Sequence, residues 1–435
     1  MRWPLNGRKL VNNSSRRAAL VYYIIEGASA LAYAAMFTPM TVYLVQTVKL
    51  DPLQLVLIGT VLEGSILLFE VPTGVVADTF SRRLSVIIGT LISGVGFIIM
   101  GAIPIFWAIL LGNILWGFGY TFTSGATEAW LAGEVGEEKV SGVYVKSGQI
   151  NRVLSLIGMP LSAVLATLWL PLPILIGGAI IFAIGLFLLI AMPETAFTPR
   201  PREKTLGGNL KDMGVTLKAG LAVIRRRPIL AALLVVELFI GAASEGFDRL
   251  GDAHLLTNIT FPAWGNLEPV AWFSILGVTG TLLGIGVTAL AQKRLIEAGK
   301  DPTRSARYLL VLTALSTVCV AIFAFAPNFG VGVTVLLIHG VLGSLIGPLY
   351  NSWLVQSTEP ATRATVISLV GQSNALGQVA GGPGVGAIGK HFSMRAALTA
   401  SALLSLPILY FYNRVAKHGS LNAAPAPAIE PAPVD

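Results

Sequence analysis

Twelve apolar runs decide what this chain can fold into. They fall at about 18–45, 53–77, 84–102, 105–129, 145–169, 172–192, 229–250, 268–291, 305–326, 329–355, 363–389 and 395–413. Runs of this length cross the hydrocarbon of a bilayer as helices, which satisfy their own backbone where water is absent. An all-α membrane protein with twelve transmembrane helices is therefore expected. Only 12% of the residues are charged, about half of what a soluble domain carries.

The placement of those charges sets the orientation. A net charge of +8 would suit a nucleic-acid binder if the basic residues lay in patches, but they gather in short loops and at the N-terminus. With the N-terminus inside, about 25 of the 30 Lys and Arg lie on one side, as membrane orientation requires. Lys49, Arg249, Lys390 and Arg395 fall on the other side, and Arg152 falls inside a span. The expectation is a multi-pass protein of a bacterial inner membrane with both termini cytoplasmic, the lipid bilayer as its large partner and no nucleic acid. The first run starts after Arg16-Arg17 and is long enough to remain as a span, so no cleaved signal is expected. The lone Cys319 cannot form a disulfide within the chain.

The runs fall into two halves. Shifting the chain by 223 positions places Trp130-Leu131 on Trp353-Leu354, Gly148-Gln149 on Gly371-Gln372, Asn151 on Asn374, Gly158 on Gly381 and Pro160 on Pro383. Matches at Trp, Gln, Asn and Pro carry more weight than matches among Leu and Val. The domains read as an N-terminal six-helix bundle over 1–192, a basic cytoplasmic linker over 193–228, a C-terminal six-helix bundle over 229–415 and a tail over 416–435. Two membrane halves in parallel repeat are the layout of a carrier with its site near the bilayer midplane.

Between the second and third runs stands Gly74-Val-Val-Ala-Asp78-Thr-Phe-Ser-Arg82-Arg83. Here a carboxylate precedes two arginines in a sharply turned loop, and Gly74 leaves a bare face that another helix could approach. The spacing resembles the loop between helices 2 and 3 of the major facilitator superfamily, and Pro193-Glu194-Thr195 after the sixth run extends the likeness over nearly the whole chain. Thr79 and Ser81 depart from the family pattern, where a basic residue and Gly are usual. The stretches Phe69–Asp78 and Ser81–Val86 are most similar to the bacterial drug:proton antiporter branch, macrolide-efflux-like members included; Gly158-Met159-Pro160 matches that branch's fifth-helix motif only in part. The resemblance implies two pseudo-symmetric six-helix bundles, a gating loop at Gly74, Asp78, Arg82 and Arg83, and latching of the bundles through Asp78. The second-half loop, placed near Gln292-Lys293-Arg294, is expected to lack an Asp.

Ionisable side chains inside the bilayer are costly, so each must face a cavity or a partner. Glu26 shares a helical stripe with Tyr22 and Tyr33; Glu63 lies near mid-depth in the second run; Glu70, on its face, is expected to brace Asp78. Arg152 needs a carboxylate, with Glu26 and Glu63 as candidates. Asn151 and Gln149, with their repeat partners Asn374 and Gln372, could line a central cavity or only bond between helices. Tyr22, Tyr33 and Trp116 could offer it aromatic faces. Glu237 lies at the depth of Glu26 with no basic neighbour expected and is the first candidate for a coupling proton. Asp248 and Arg249 read as a pair near the outer end, and His339 as a packing residue at the repeat position of Trp116.

No phosphate-binding G-x-x-x-x-G-K-[ST] loop and no spacing of metal ligands occur. No enzyme activity, cofactor or metal is expected, and the energy must come from a gradient. The leading expectation is a monomeric, proton-coupled exporter of small amphipathic compounds or drugs working by alternating access, with proton-coupling and transport residues Glu237, Glu26, Glu63 and Arg152. The alternatives are a carrier of one physiological solute (a siderophore, lipid or metabolite) and a non-transporting membrane sensor.

Overall fold

The computed structural model describes residues 6–198, 228–264, 267–359 and 363–418. Most of the expected linker, with Arg225-Arg226-Arg227, and nearly all of the tail lie outside them. The described chain is helical: α1 (Asn6–Val42) closed by a π-turn (Tyr43–Thr47), α2 (Pro52–Thr79), α3 (Arg82–Ala102), α4 (Phe106–Thr123), α5 (Ala126–Val135), α6 (Glu137–Leu168), α7 (Leu172–Ala191), α8 (Pro228–Asn258), α9 (Pro269–Gly299), α10 (Pro302–Ala324), α11 (Phe329–Gln356), α12 (Arg363–His391), α13 (Met394–Leu404) and α14 (Leu406–His418).

Twelve passages result. The fourth is α4 continued by α5 after a turn at Gly125, whose φ of +71° suits glycine; the twelfth is α13 and α14, broken at Ser405. Among the described residues, ten stretches are long and apolar enough on their own to cross a membrane. Short polar residues stop and start the helices: Asp51, Ser81, Asp301, Asn328 and Ser393 each accept a backbone N–H of the following first turn. The outward faces stay apolar, with Leu168, Ile190 and Leu290 exposed where lipid would lie.

The passages form two six-helix bundles of repeated design. In the first, α1 packs along α6 and α3 between α4 and α7; in the second, α8 packs along α12 and α10 along α11. A Cβ at Gly158 of α6 would come within 2.7 Å of the Leu31 carbonyl of α1. Its repeat partner Gly381 of α12 sits equally tight against Ala242 of α8. Close backbone contact through small residues is how helices associate where no water drives them together. Helix α2 lies along α12, and α6 along α9, to join the halves.

Several boundaries differ from the sequence expectation. Helix α8 runs to Asn258, two turns past the expected end, and carries Asp248, Arg249 and Asp252 inside the passage. Helix α9 runs to Gly299, so Gln292-Lys293-Arg294 are helical and the turn falls at Lys300-Asp301. The second-half loop therefore does hold an aspartate. Asp301 caps α10 and meets Arg304 at 3.7 Å.

Candidate functional site

The end opposite Arg82-Arg83 is shut. Asp51 opens α2 with a reciprocal cap: its carboxylate accepts from Gln54 N at 2.9 Å, and Gln54 Oε1 accepts from Asp51 N at 3.0 Å. Lys390, at the end of α12, places its Nζ 2.9 Å from the second Asp51 oxygen, across the two halves. Partial burial works against the charge on Asp51, but the Gln54 N–H and the Lys390 ammonium overcome it and hold this carboxyl below its ordinary value. Glycines on α12 let α2 come close. A Cβ at Gly386 would lie 3.0 Å from Val56 Cβ, and one at Gly389 2.9 Å from Pro52 Cβ.

Toward the Arg82-Arg83 end the halves part. A Cβ at Gly74 of α2 or at Gly371 of α12 would meet nothing within 4 Å. The bare face of Gly74 therefore has no helix against it here. Glu63 and Glu70 of α2 line a cavity of about 460 Å³ in this gap, with Trp116 and Tyr120 on α4 and Gln372 on α12. Glu70 faces the Gln372 amide of the opposite half, instead of bracing Asp78.

A larger cavity of about 1020 Å³ lies on the other side of α1, between α1 and α6 of the first half and α8, α9 and α11 of the second. Arg152, Asp252 and His339 supply polar walls, and Phe37, Phe247 and Phe273 supply apolar ones. His339 accepts from or donates to Ser316 Oγ at 2.9 Å and packs on Phe247 at 4.4 Å between ring centres. It is thus both a packing residue, as expected, and a wall of this cavity. A recess of about 210 Å³ toward the shut end shares Phe37 and Asp252 with this cavity and Trp116 with the smaller one, and adds Asp248 and Arg249. Phe37 and Trp116 touch at 5.4 Å between ring centres, with Phe97 behind both.

The two halves hold matching carboxylate–amide pairs. On α6, Asn151 Nδ2 lies 3.5 Å from Glu26 Oε2 of α1. On α12, its repeat partner Asn374 donates to Glu237 Oε2 of α8 at 2.6 Å, and Gln378 Nε2 donates to Asn374 Oδ1 at 2.8 Å. Glu237 is buried, and the Tyr350 hydroxyl lies beside it. Both glutamates sit on the first helix of a half, and both amides on its fifth passage. Each carboxyl thus has a neutral amide beside it.

Other expected residues are distributed differently. Arg152 pairs with neither Glu26 nor Glu63; its side chain is exposed in the large cavity, and among the described residues it makes no ion pair. Arg249 pairs with Glu245 at 3.2 Å, not with Asp248. Glu245, 2% exposed in its side chain, was not marked by the sequence reading, although its i,i+4 spacing to Arg249 was a signal that could have found it. Tyr22 is buried edge-on against Tyr144, and Tyr33 stacks near Phe37, the residue of that stripe that reaches the cavity. Gln149 is exposed on α6.

At the open end, Arg82 and Arg83 brace the first half internally. Arg82 Nη1 donates to the Ala129 carbonyl at 3.0 Å, and Arg83 Nη2 to the Leu189 carbonyl at 2.6 Å. Ser81 caps α3 and donates to Glu194 Oε2 at 2.7 Å, while Arg83 N donates to Glu194 Oε1 at 2.9 Å. Serine at this position, in place of the usual glycine, thus ties the loop to Pro193-Glu194-Thr195. Glu134, buried at the end of α5, accepts from Thr195 Oγ1 at 2.7 Å, Ala196 N at 2.8 Å, Ser14 Oγ at 3.1 Å, and the Thr195 amide. Short-range patterns gave no sign of it, since its partners are about 60 and 120 residues away.

Comparison with known proteins bears on this architecture. The sequence profile described as Major Facilitator Superfamily matches residues 23–382. A Bacillus subtilis (strain 168) protein named "Uncharacterized MFS-type transporter YxaM" is 24% identical over 403 residues, which cover 91% of this chain and 96% of that one. The crystal structure of the nucleoside transporter NupG superposes with a TM-score of 0.72 at 17% identity, over 92% of this chain and 99% of that one. A bacterial homolog of the human lysosomal transporter Spinster, inward-facing, gives a TM-score of 0.70 at 13% identity over 93% and 97%. The peptide transporter POT in complex with sulfate gives 0.69 at 16% over 92% and 95%.

Proposed function

The chain belongs to the major facilitator superfamily, and from that premise we propose that it is a proton-coupled secondary transporter exporting small amphipathic compounds, of the drug:proton antiporter kind. The observation that carries this reading is the Glu237–Asn374 pair: a carboxyl inside a membrane half, held by an amide and by no cation. Such a group can take up and release a proton without stranding a counter-ion. A carboxylate buried against an arginine could not, because guanidinium does not give up its proton. The Glu26–Asn151 pair gives the first half the same device. The likeness of Phe69–Asp78 to the antiporter branch supports export over uptake.

With the Arg82-Arg83 end in the cytoplasm, the shut Asp51–Lys390 end is the outer one and the gap at Glu63 and Glu70 opens inward. Cargo enters there, the gap closes, and the outer contacts of α2 with α12 release. Proton binding and cargo binding shift the balance between the two states because each prefers one of them. Asp78 and the arginines after it then serve as the inner gate.

The test is transport of a panel of amphipathic compounds into everted vesicles from cells expressing the chain. At least one compound should accumulate several-fold over control vesicles, and a proton-gradient collapser should abolish that accumulation. Accumulation that survives collapse of the gradient would overturn proton coupling.

A further inference from the structure

Most interior charges of this molecule have a partner nearby: Glu245 has Arg249, Glu26 has Asn151 and Glu237 has Asn374. Two that share the large cavity stand apart. Arg152 on α6 and Asp252 on α8 both line it, both have exposed side chains there, and among the described residues neither makes a hydrogen bond or an ion pair. They come from opposite halves and carry opposite charge. A guanidinium inside a membrane protein stays charged and needs an anion; a carboxylate there needs a cation or donors. Between them the cavity is walled by Phe37, Phe247, Phe273 and Leu336, which suit an apolar body and do not satisfy charge.

We infer that this cavity takes a zwitterionic amphiphile, with an anionic group on Arg152, a basic nitrogen on Asp252 and an apolar body against the phenylalanines. The assignment rests on the transporter reading above and adds the charge pattern of the cargo. Asp252 lies about ten helical positions nearer the shut end than Arg152, measured along α8 and α6, so at 1.5 Å per residue the two charges are of order 15 Å apart in depth. The cargo's charges must then lie at opposite ends of an extended molecule, unlike those of a free α-amino acid. The adjoining recess adds Asp248, a second carboxylate at the basic end, and Arg249, whose guanidinium is paired with Glu245. Because the partners sit on different halves, such a cargo bridges them, while a molecule with one charge leaves either Arg152 or Asp252 unsatisfied. A site left with an unpaired charged group discriminates strongly against the incomplete ligand.

The experiment is equilibrium binding to the purified full chain in nanodiscs, using a series of 4-(ω-aminoalkyl)benzoic acids of increasing chain length. Each is compared with its methyl ester, which keeps only the cation, and its N-acetyl derivative, which keeps only the anion. One chain length should bind about ten-fold or more tighter than either derivative. Arg152→Gln should erase the preference over the ester and spare that over the N-acetyl compound; Asp252→Asn should do the reverse. Arg152→Lys should keep part of the preference over the ester. Melting temperatures identify any variant that has lost its fold, in which case the wild-type ratios still decide. Equal binding of zwitterion and ester by the wild type, no binding at any chain length, or preferences untouched by both charge-removing variants would overturn the inference. Binding needs no gradient, so this pattern in a protein that fails proton-driven transport would refute the coupling and leave the cargo class standing.

Discussion

Glu245 and Glu237 lie eight residues apart on α8 and illustrate two ways of keeping a carboxyl inside a membrane half. Glu245 is matched by Arg249 one turn on, and the pair is fixed: removing the arginine strands a buried charge at about 3–5 kcal/mol, and replacing both with apolar residues costs less. We therefore expect Arg249→Met to lower the melting temperature of the detergent-solubilised protein sharply, and Arg249→Met with Glu245→Met to recover a large part of the loss. A double variant no more stable than the single one would show that the ion pair is not what Arg249 contributes. Glu237 has Asn374 at 2.6 Å and the Tyr350 hydroxyl beside it, and no cation paired with it among the described residues, which is why the proposed cycle puts the proton there. Sequence alone placed Glu237 and Asn374 in their halves and marked both; their contact, 137 residues apart in the chain, needed the fold. Arg152 was marked too, but its assigned partners were wrong. Depth along a helix can be counted from sequence, whereas the direction a side chain faces depends on helix rotation.

Among the elements, α2 and α12 join the two halves at the shut end. Their contact at the shut end relies on Gly386 and Gly389, where side chains would press on Val56 and Pro52, and on Asp51–Lys390. Gly386→Leu should force the two helices apart there. Spin labels at Thr47 and Phe392, both exposed at this end, should report one short distance in the parent and an added longer population in the variant; an unchanged distribution would mean the glycine contact does not hold the end shut. The ion pair adds a pH dependence of known sign. Because Asp51 is held below its ordinary value in the closed arrangement, its contribution is complete above that ordinary value, near pH 4, and is lost only as pH falls through the lowered one. The short-distance population should accordingly be flat from pH 8 to about pH 5 and decline below about pH 4, with Asp51→Asn removing the acid-side decline. Element boundaries were legible wherever apolar runs met polar caps, as at Asp51-Pro52 and Ser81-Arg82. The end of α8 was misplaced: the run was closed at 250, with Asp248 and Arg249 near its outer end, whereas the helix carries both, and Asp252, inside the passage. Those charges face a cavity inside the protein, and hydropathy cannot distinguish a cavity wall from solvent.

At the scale of the whole molecule, two bundles repeat one plan with different chemistry at matching places. Asn151 and Asn374 hold Glu26 and Glu237, and Gly158 and Gly381 seat the first helix of each half, while Trp116 and His339 occupy equivalent positions with an aromatic face and a hydrogen-bonding ring. The repeat was readable because identical uncommon residues recur at one spacing; the cavity was not, because its walls come from five helices of both halves. In the proposed cycle Glu237 carries the coupling proton. This claim is tested most directly with the purified chain in liposomes, following substrate and protons together for the parent and for Glu237→Gln. The parent should accumulate substrate under an imposed pH gradient with matching proton flux, and the variant should lose both while still exchanging labelled for unlabelled substrate in counterflow. A Glu237→Gln protein that accumulates substrate against its gradient at the parent level would contradict the claim.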